Sequence, residues 1–168
     1  AAMAHSVIPR VAVKTIAQQD MQALHRIRSM KMKQRTAIIN QTRGLLAEYG
    51  IVIAKSPTAL RKAIPELLEE ADNGLSFDFR PLLDALYDDL RTLEARIEEL
   101  TRLIERQVRA NPEARRLLEV PGIGPLTASA LLATVGDARQ FRNGRQMAAF
   151  LGLVPRQHSS GGKHTLLG

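Results

Sequence analysis

The spacing of apolar residues predicts that the first part of the chain is one long helix. From Ile16 to Tyr49 nothing breaks a helix except Gly44. The apolar positions that fall along one line of this helix are Ile27, Ile38 and Leu45. At a rise of about 1.5 Å per residue the predicted helix is about 50 Å long. Gly50 is placed to end it in a left-handed cap.

A second long helix has a more regular pattern. After a connector at residues 51–57 and a short helix predicted from Pro65 to Ala71, we expect this helix from Pro81 to Arg109. Its apolar residues alternate spacings of three and four, which is a heptad seam that must be buried against another helix. The seam consists of Leu83, Leu86, Leu90, Leu93, Ile97, Leu100 and Ile104. The pattern leaves open whether the seam packs on the first helix of the same chain or on a second copy.

The apolar surface of a two-helix hairpin favours a further partner. We therefore expect a homo-oligomer that forms through the Leu83–Ile104 seam.

Residues 111–136 predict two short helices joined by a tight turn. Asn111-Pro112 has the residues that start a helix, and this helix is expected to run to about Glu119. The turn Pro121-Gly122-Ile123-Gly124 follows, and then a helix of small and apolar residues to Gly136. We interpret the whole as a helix-hairpin-helix that binds nucleic-acid backbone. The alternative is a turn that only packs two helices together.

The two glycines of this turn have a predicted role in phosphate binding. Gly122 and Gly124 are expected to adopt unusual dihedrals and to let a phosphate approach bare backbone N–H groups. The start of the second helix, through Thr127, adds further N–H donors and the positive end of the helix dipole. Ile123 is expected to fill the gap between the helices. Contacts of this kind position nucleic acid without reading its sequence.

The C-terminal stretch predicts a basic turn, a helix and a loop. The turn contains Arg142 and Arg145, which are predicted nucleic-acid contacts, and a buried helix ending at Gly152 is expected after it. Residues 154–164 are predicted to form a flexible basic loop in which Arg156 and Lys163 are further predicted nucleic-acid contacts. The loop also contains Ser159 and Ser160. A serine in such a loop is a candidate nucleophile or phosphate ligand, with an ordinary linker as the alternative.

These patterns together predict an all-α fold, a long helical coiled-coil hairpin followed by a small helical domain with the helix-hairpin-helix. The expected segments are 1–15 as a linker or remnant, 16–110 as the coiled coil, and 111–168 as the small domain.

Composition excludes several classes of protein. Aromatic residues make up 4% of the chain, which disfavours a sheet, and the absence of cysteine excludes disulfides and thiolate metal sites. The four histidines match no zinc spacing, so no metal site is predicted. No apolar run reaches the about 20 residues that a membrane span needs. We expect a cytoplasmic, nucleoid-associated protein.

The charge indicates a polyanionic partner. The net charge is +7, and from Lys14 to Arg43 there are seven Lys or Arg residues against the single acid Asp20. The predicted nucleic-acid contacts on this helix, which we call the basic collar, are Arg26, Arg28, Lys31, Lys33 and Arg35. A merely solvated helix is the alternative, although solvated faces usually mix both signs.

From Val13 onward the sequence resembles the insertion-sequence transposases that join an N-terminal DEDD domain of RNase H-like type to a C-terminal serine-bearing domain. Members of this family are described as bridge-RNA-guided DNA recombinases. The resemblance is carried by Val13-Lys14-Thr15, Gln19-Asp20, Leu24-His25-Arg26-Ile27-Arg28, Arg35-Thr36, Asn40-Gln41-Thr42-Arg43-Gly44-Leu45-Leu46, Glu48, Gly50, Pro121-Gly122-Ile123-Gly124, Phe141, Ala148, Gly152-Leu153, Pro155 and Ser159-Ser160-Gly161-Gly162-Lys163.

The resemblance implies a function in DNA transposition and site-specific recombination. DNA is the implied partner, with guide RNA as a second, and Mg²⁺ is held by four carboxylates of the acidic domain. The implied nucleophile is Ser160, with Ser159 as the fallback, and it attacks a DNA phosphodiester. Only twelve residues without an acid precede Val13. We therefore expect no cofactor in this chain, and a fragment that is inactive alone.

Two further functions stay open. One is a non-catalytic helix-hairpin-helix module that binds nucleic acid and oligomerises through the coiled coil. The other is a coiled-coil scaffold whose charge is incidental.

Overall fold

Six α-helices and a pair of short strands make up the described part of the chain. The computed structural model describes residues 13–153 in full, together with the backbone of residues 156–160 and 163–167. In chain order the helices are α1 (Ile16–Glu48), α2 (Pro57–Glu69), α3 (Phe79–Ala110), α4 (Pro112–Leu118), α5 (Pro125–Val135) and α6 (Gly144–Phe150). The all-α fold class is confirmed.

The two long helices pair as the heptad pattern predicts. Leu83, Leu90 and Ile104 of α3 are at most 1% exposed and Ile97 is 7% exposed. Leu24 of α1 shares a cluster with the end of α3, whereas Leu46 shares one with its beginning. The helices therefore run antiparallel within one chain, and α1 covers the seam.

This packing changes the basis of the predicted homo-oligomer. The Leu83–Ile104 seam is covered by α1 of the same chain and is not the exposed apolar face on which that prediction relied. Self-association stays a prediction, and a second copy would have to bind another surface.

The apolar core of residues 13–134, one compact unit, is divided between the two ends of this helical pair. At one end, α2 and the segment after it pack on α1 and α3. The buried residues of this first cluster are Ile39, Leu46, Leu60, Ile64, Leu75, Phe79, Leu83 and Leu90. At the other end, α4 joins α1 and α3, and the buried residues of this second cluster are Leu24, Ile104, Val108 and Ala114. The unit thus includes α4 and most of α5, which were assigned to the segment 111–168.

The short helix α2 begins earlier than predicted. It starts at Pro57, and the Ser56 hydroxyl accepts a hydrogen bond from Ala59 N at 3.5 Å. Ser followed by Pro is a helix start, because the serine caps the first turn and proline fixes a helical φ where no N–H partner exists. The expected connector at 51–57 therefore stops at Ser56. Pro65, which was expected to start the helix, lies inside it.

The end of α2 is held by one arginine of α3. Arg80 donates hydrogen bonds to the carbonyls of Leu67 and Leu68, both at 3.2 Å. It also donates to Glu70 O at 2.7 Å and to Ala71 O at 3.1 Å. The last carbonyls of a helix have no partner within the helix, so Arg80 serves as a side-chain cap for α2.

The residues from 135 onward belong to a second compact unit. A 3-10 turn at Ala138–Gln140 precedes α6, whose N-terminus is capped by Asn143, and the rings of Phe141 and Phe150 lie 5.1 Å apart. No residue of α6 is buried, and Leu153 is 70% exposed. The expectation of a buried helix is therefore wrong, because α6 contributes no residue to the apolar clusters of the described chain, and its Phe150 packs on Phe141 instead.

The expected loop at 154–164 is also wrong for most of its length. Strands β1 (Arg156–Ser160) and β2 (Lys163–Leu167) form an antiparallel pair in which Ser160 lies opposite Lys163. The Gly161-Gly162 dipeptide between two five-residue segments was the available signal for a hairpin. Within the described residues no helix is long and apolar enough to cross a membrane.

Candidate nucleic-acid interface

The turn between α4 and α5, residues 120–124, is called the glycine turn below. Asn111 starts α4 by accepting hydrogen bonds on its Oδ1 from the N–H groups of Glu113 and Ala114, at 2.8 and 3.2 Å. The helix ends at Leu118, and Ile123 N then donates to Val120 O at 3.1 Å. The predicted order of helix, turn and helix is therefore present, with the predicted cap.

The two glycines of the turn differ in conformation. Gly122 has a φ of +86°, in the left-handed region that glycine favours, whereas Gly124 has no positive φ. The expectation of unusual dihedrals is thus confirmed at Gly122 and wrong at Gly124. A Cβ built on either residue meets no atom within 4 Å. Packing among the described residues therefore does not require glycine at position 124.

Several backbone donors of the turn have no partner in the described part of the chain. They are the N–H groups of Gly122, Gly124, Leu126 and Thr127. The N–H of Ile123 is occupied by Val120, and the Ile123 side chain is half-buried. Its role as the residue that fills the gap between the helices stays a prediction. Because Gly122, Gly124 and Thr127 are exposed, their donors can reach an anion in solvent.

The second helix of the turn is held on α1 by three polar side chains. Gln18 Nε2 donates to Leu132 O at 3.3 Å, and Gln22 Nε2 donates to Ala133 O at 2.9 Å. One turn further along α1, His25 Nε2 lies 2.9 Å from Ser129 Oγ. We call Gln18, Gln22 and His25 the polar ladder. It connects the start of α1 to α5.

The residues of the basic collar are placed in two ways on α1. Arg26 and Lys33 are exposed, so both can contact a polyanion. Arg28 is half-buried, and its Nε donates to Thr101 Oγ1 of α3 at 2.8 Å. Its guanidinium therefore also joins the two long helices.

Lys31 and Arg35, the other two collar residues, are half-buried as well. The buried Nε of Arg35 has no hydrogen-bond partner among the described residues. The collar thus presents Arg26 and Lys33 to solvent, while Arg28, Lys31 and Arg35 are half-buried.

Two exposed arginines of α4 were missed by the sequence analysis. Arg115 and Arg116 are both solvent-exposed in the helix that leads into the glycine turn. Their position in the last turn of a helix that directly precedes a Pro-Gly-Ile-Gly segment was the signal that could have identified them. They add positive charge on the same helix-turn-helix segment as the free N–H donors.

The other predicted contacts lie in the second unit. Arg142 and Arg145 are exposed on either side of the Asn143 cap. Ser159 and Ser160 belong to β1, Arg156 starts it, and Lys163 starts β2. The side chains of these four residues lie outside the described part of the structure, so their candidate roles stay predictions.

His25 is the titratable residue of the polar ladder. Burial lowers the pKa of His25 below its ordinary value of 6.5, and the nearby charge of Arg28 lowers the pKa further. His25 is therefore neutral at physiological pH in the folded chain. In the described residues no group of three or more His, Asp or Glu side chains comes together as metal ligands.

Comparison with known proteins identifies a domain that includes the glycine turn. Residues 114–168 match the model of a family described as Transposase IS116/IS110/IS902 family. The match begins within α4, includes α5 and α6, and extends through both strands. No solved structure matches the chain.

Individual relatives extend the similarity over most of the chain. The chain is 48% identical over 157 residues to a probable family 20 transposase of Pseudomonas aeruginosa, covering 93% of this chain and 46% of the relative. It is 43% identical over 155 residues to the transposase for insertion sequence element IS1111A of Coxiella burnetii, covering 92% of this chain and 43% of the relative.

A third relative, the transposase for insertion sequence element IS1328 of Yersinia enterocolitica, is 36% identical over 166 residues, which are 98% of this chain and 47% of the relative. The chain therefore spans less than half the length of each of these three relatives. It contains a transposase domain of the matched family and resembles insertion-sequence transposases outside that domain as well.

Proposed function

We propose that this chain is the DNA-binding portion of an insertion-sequence transposase that acts in DNA transposition and site-specific recombination. The observation that carries the proposal is the 48% identity to a transposase over 93% of the chain. The relatives are more than twice as long, so the complete reaction is proposed for the longer protein and DNA binding for this part.

The glycine turn is the proposed contact to the DNA backbone, as a helix-hairpin-helix. The free N–H groups of Gly122, Gly124 and Thr127 are exposed and close together in sequence. A phosphate oxygen accepts hydrogen bonds from such donors, and the positive end of the α5 dipole adds to the attraction. Since each of these donors belongs to the backbone, the contact fixes DNA without reading bases.

Exposed cations provide the long-range part of the proposed binding. Arg26, Lys33, Arg115 and Arg116 are exposed in the same compact unit as the glycine turn. Each phosphate that a cation neutralises releases counterions, so the logarithm of the affinity falls with the logarithm of the salt concentration by about 0.9 per contact.

Ser160 is the proposed nucleophile of the longer protein, with Ser159 as the alternative. In that step the serine oxygen forms a bond to phosphorus, the bond from phosphorus to the leaving sugar oxygen breaks, and the serine proton passes to a base. The described residues contain no set of metal ligands, so no step through Mg²⁺ is derived for them. Mg²⁺, guide RNA and self-association stay proposals for the longer protein.

Gly124→Ala tests the proposed backbone contact. The Cβ has open space around it and Gly124 has no positive φ, so the fold is expected to be unchanged. A phosphate within hydrogen-bond distance of the turn would meet the new methyl group, and the affinity for duplex DNA is expected to fall about tenfold. Gly44→Ala is the matched control, because Gly44 is also exposed and also has open space around it.

Affinities for both variants would be measured by fluorescence anisotropy at two salt concentrations. If Gly124→Ala binds as tightly as the original chain, the turn does not contact DNA. If the original chain shows no binding that depends on salt, the whole proposal of DNA binding is rejected and a coiled-coil scaffold is favoured.

Substitution of the two serines distinguishes a transposase from the alternative, a non-catalytic nucleic-acid-binding module. In the longer protein, Ser160→Ala is expected to abolish a covalent adduct between protein and DNA and to leave binding unchanged. Ser159→Ala is the matched control. An adduct that survives Ser160→Ala but not Ser159→Ala would move the nucleophile to Ser159, and survival in both variants would reject a serine nucleophile.

A further inference from the structure

The polar ladder satisfies backbone groups that α5 cannot satisfy itself. The last four carbonyls of a helix have no partner within it. In α5, which ends at Val135, two of these carbonyls are those of Leu132 and Ala133, and they accept the hydrogen bonds from Gln18 and Gln22. Side chains of α1 therefore satisfy two of the four terminal carbonyls at this partly buried helix end.

Gln18 has two partners at once. Its Oε1 accepts a hydrogen bond from Thr15 N at 2.9 Å, and the Thr15 hydroxyl accepts one from Gln18 N at 3.2 Å, which together form a capping box at the start of α1. Its Nε2 donates to Leu132 O. The side-chain amide of Gln18 thus caps both the start of α1 and the end of α5.

Ser129 defines the orientation of His25. The Ser129 hydroxyl has one proton, and its oxygen lies 2.9 Å from Pro125 O and 3.1 Å from Leu126 O. Because the hydroxyl donates to one of these carbonyls, its oxygen accepts the hydrogen bond from His25 Nε2–H. His25 is therefore linked to Ser129, the fifth residue of α5, whose hydroxyl in turn bonds a carbonyl in the first turn after the glycine turn.

We propose that Gln18, Gln22 and His25 are positioning residues that hold α5 in one register on α1, so that the glycine turn and the exposed Arg26 form one surface for a nucleic-acid backbone. This inference rests on the proposed DNA binding. Arg26 follows His25 directly in α1, and His25 is linked through Ser129 to the carbonyls at the start of α5. A single phosphodiester backbone can then contact the turn and the arginine together. Loosening the ladder weakens both contacts without removing either.

The charges around His25 make this positioning dependent on pH. Between Pro125 and Thr134, α5 has no titratable side chain, and on α1 the charge of Arg28 acts on His25. The neighbouring charged residues along α1, Asp20 and Arg26, are both exposed. At the adjacent end of α3, Glu105 pairs with Arg109 and Glu98 with Arg102. A proton on His25 therefore adds a partly buried charge beside Arg28, and these two carboxylates of α3 are already paired.

Gln22→Met tests the ladder in the full chain. Methionine has a similar length but no donor for Ala133 O, and α5 amides are expected to exchange with solvent about tenfold faster, while α3 amides are unchanged. DNA affinity is expected to fall severalfold with an unchanged salt slope, since no phosphate contact is lost. Gln34→Met is the matched control, because Gln34 is exposed on the same helix.

His25→Gln supplies the second readout. In the original chain, protection of α5 amides relative to α3, corrected for intrinsic exchange, is expected to fall as the pH drops below 6.5. The glutamine keeps a donor but cannot be protonated, so its α5 protection is expected to stay constant over this range.

The outcomes separate this inference from the proposed function. Unchanged α5 exchange in Gln22→Met would overturn the ladder whatever the DNA result. Faster α5 exchange with unchanged DNA affinity would overturn the joint surface of turn and Arg26. An original chain that binds no DNA would reject the proposed function, whereas the exchange measurements would still test the ladder.

Discussion

Arg80→Met should remove the hydrogen bonds that end α2 and lower the free energy of unfolding by about 3 kcal/mol. A hydrogen bond from a charged group contributes about 1.5–3 kcal/mol. The carbonyls of Glu70 and Ala71 are exposed, so water replaces Arg80 there at little cost. The carbonyls of Leu67 and Leu68 and the Oδ1 of Asn73, to which Arg80 donates at 2.8 Å, are partly buried. The bonds to these three acceptors determine the magnitude, although Leu67 O keeps a second donor in Asn73 Nδ2.

Urea unfolding followed by circular dichroism measures the effect. For a slope of about 2 kcal/mol per molar urea, the midpoint should fall by about 1.5 M. The midpoint of Arg80→Lys should lie between those of the original chain and Arg80→Met, because an ammonium group lacks the fixed fork with which a guanidinium binds both carbonyls. Arg96→Met is the control, since Arg96 pairs only with Glu99 at the surface and should cost less than about 0.5 kcal/mol. A loss under about 1 kcal/mol for Arg80→Met would refute the cap.

Three further predictions concern stability, and each compares a substitution with a matched one or with the original chain. Gly44→Ala should raise the free energy of unfolding by about 0.5–1 kcal/mol, because Gly44 lies inside α1, whereas Gly122→Ala should lower it by about 1–2 kcal/mol because its φ is +86°; equal effects in urea unfolding would contradict this. The lowered pKa of His25 means that the unfolded chain binds the proton more readily. Stability should therefore fall as the pH drops through 6.5 toward the folded pKa, and His25→Gln should flatten this dependence in thermal melts. Ile104→Ala, at a fully buried position, should cost about 2–5 kcal/mol, while Leu82→Ala, which is 61% exposed, should cost less than about 1 kcal/mol, and a reversed order would contradict the assigned packing.

The helices followed from the sequence where periodicity and caps agreed. The heptad seam of α3 predicted its length and its buried face, and Asn111-Pro112 predicted the start of α4. The start of α2 was missed because Pro65 was interpreted as a helix start although Ser56-Pro57 has the same capping pattern. For the seam, periodicity identifies the face that is buried but not the chain that covers it. Only the structure could therefore identify α1 of the same chain as the partner of α3.

The candidate site was predictable only in its local part. The glycine turn follows from Pro121 to Gly124, but the contact between α1 and α5 joins glutamine and histidine side chains to backbone carbonyls and a serine hydroxyl. Such contacts produce no periodic pattern in the sequence, because every residue has a backbone carbonyl. Arg26 is exposed whereas Arg28 bonds to Thr101, and this difference likewise depends on the position of α3 beside α1.

The polar ladder has a consequence for the order of events during synthesis. Its hydrogen bonds join residues 114, 111 and 104 positions apart. Translation adds about 5–20 residues per second, so the start of α1 leaves the ribosome several seconds before α5 is made. Until then the buried Leu24 and the first turns of α1 have no partner from α4 or α5. The pairing of α1 with α3 can form first, and the surface that includes the glycine turn is completed last.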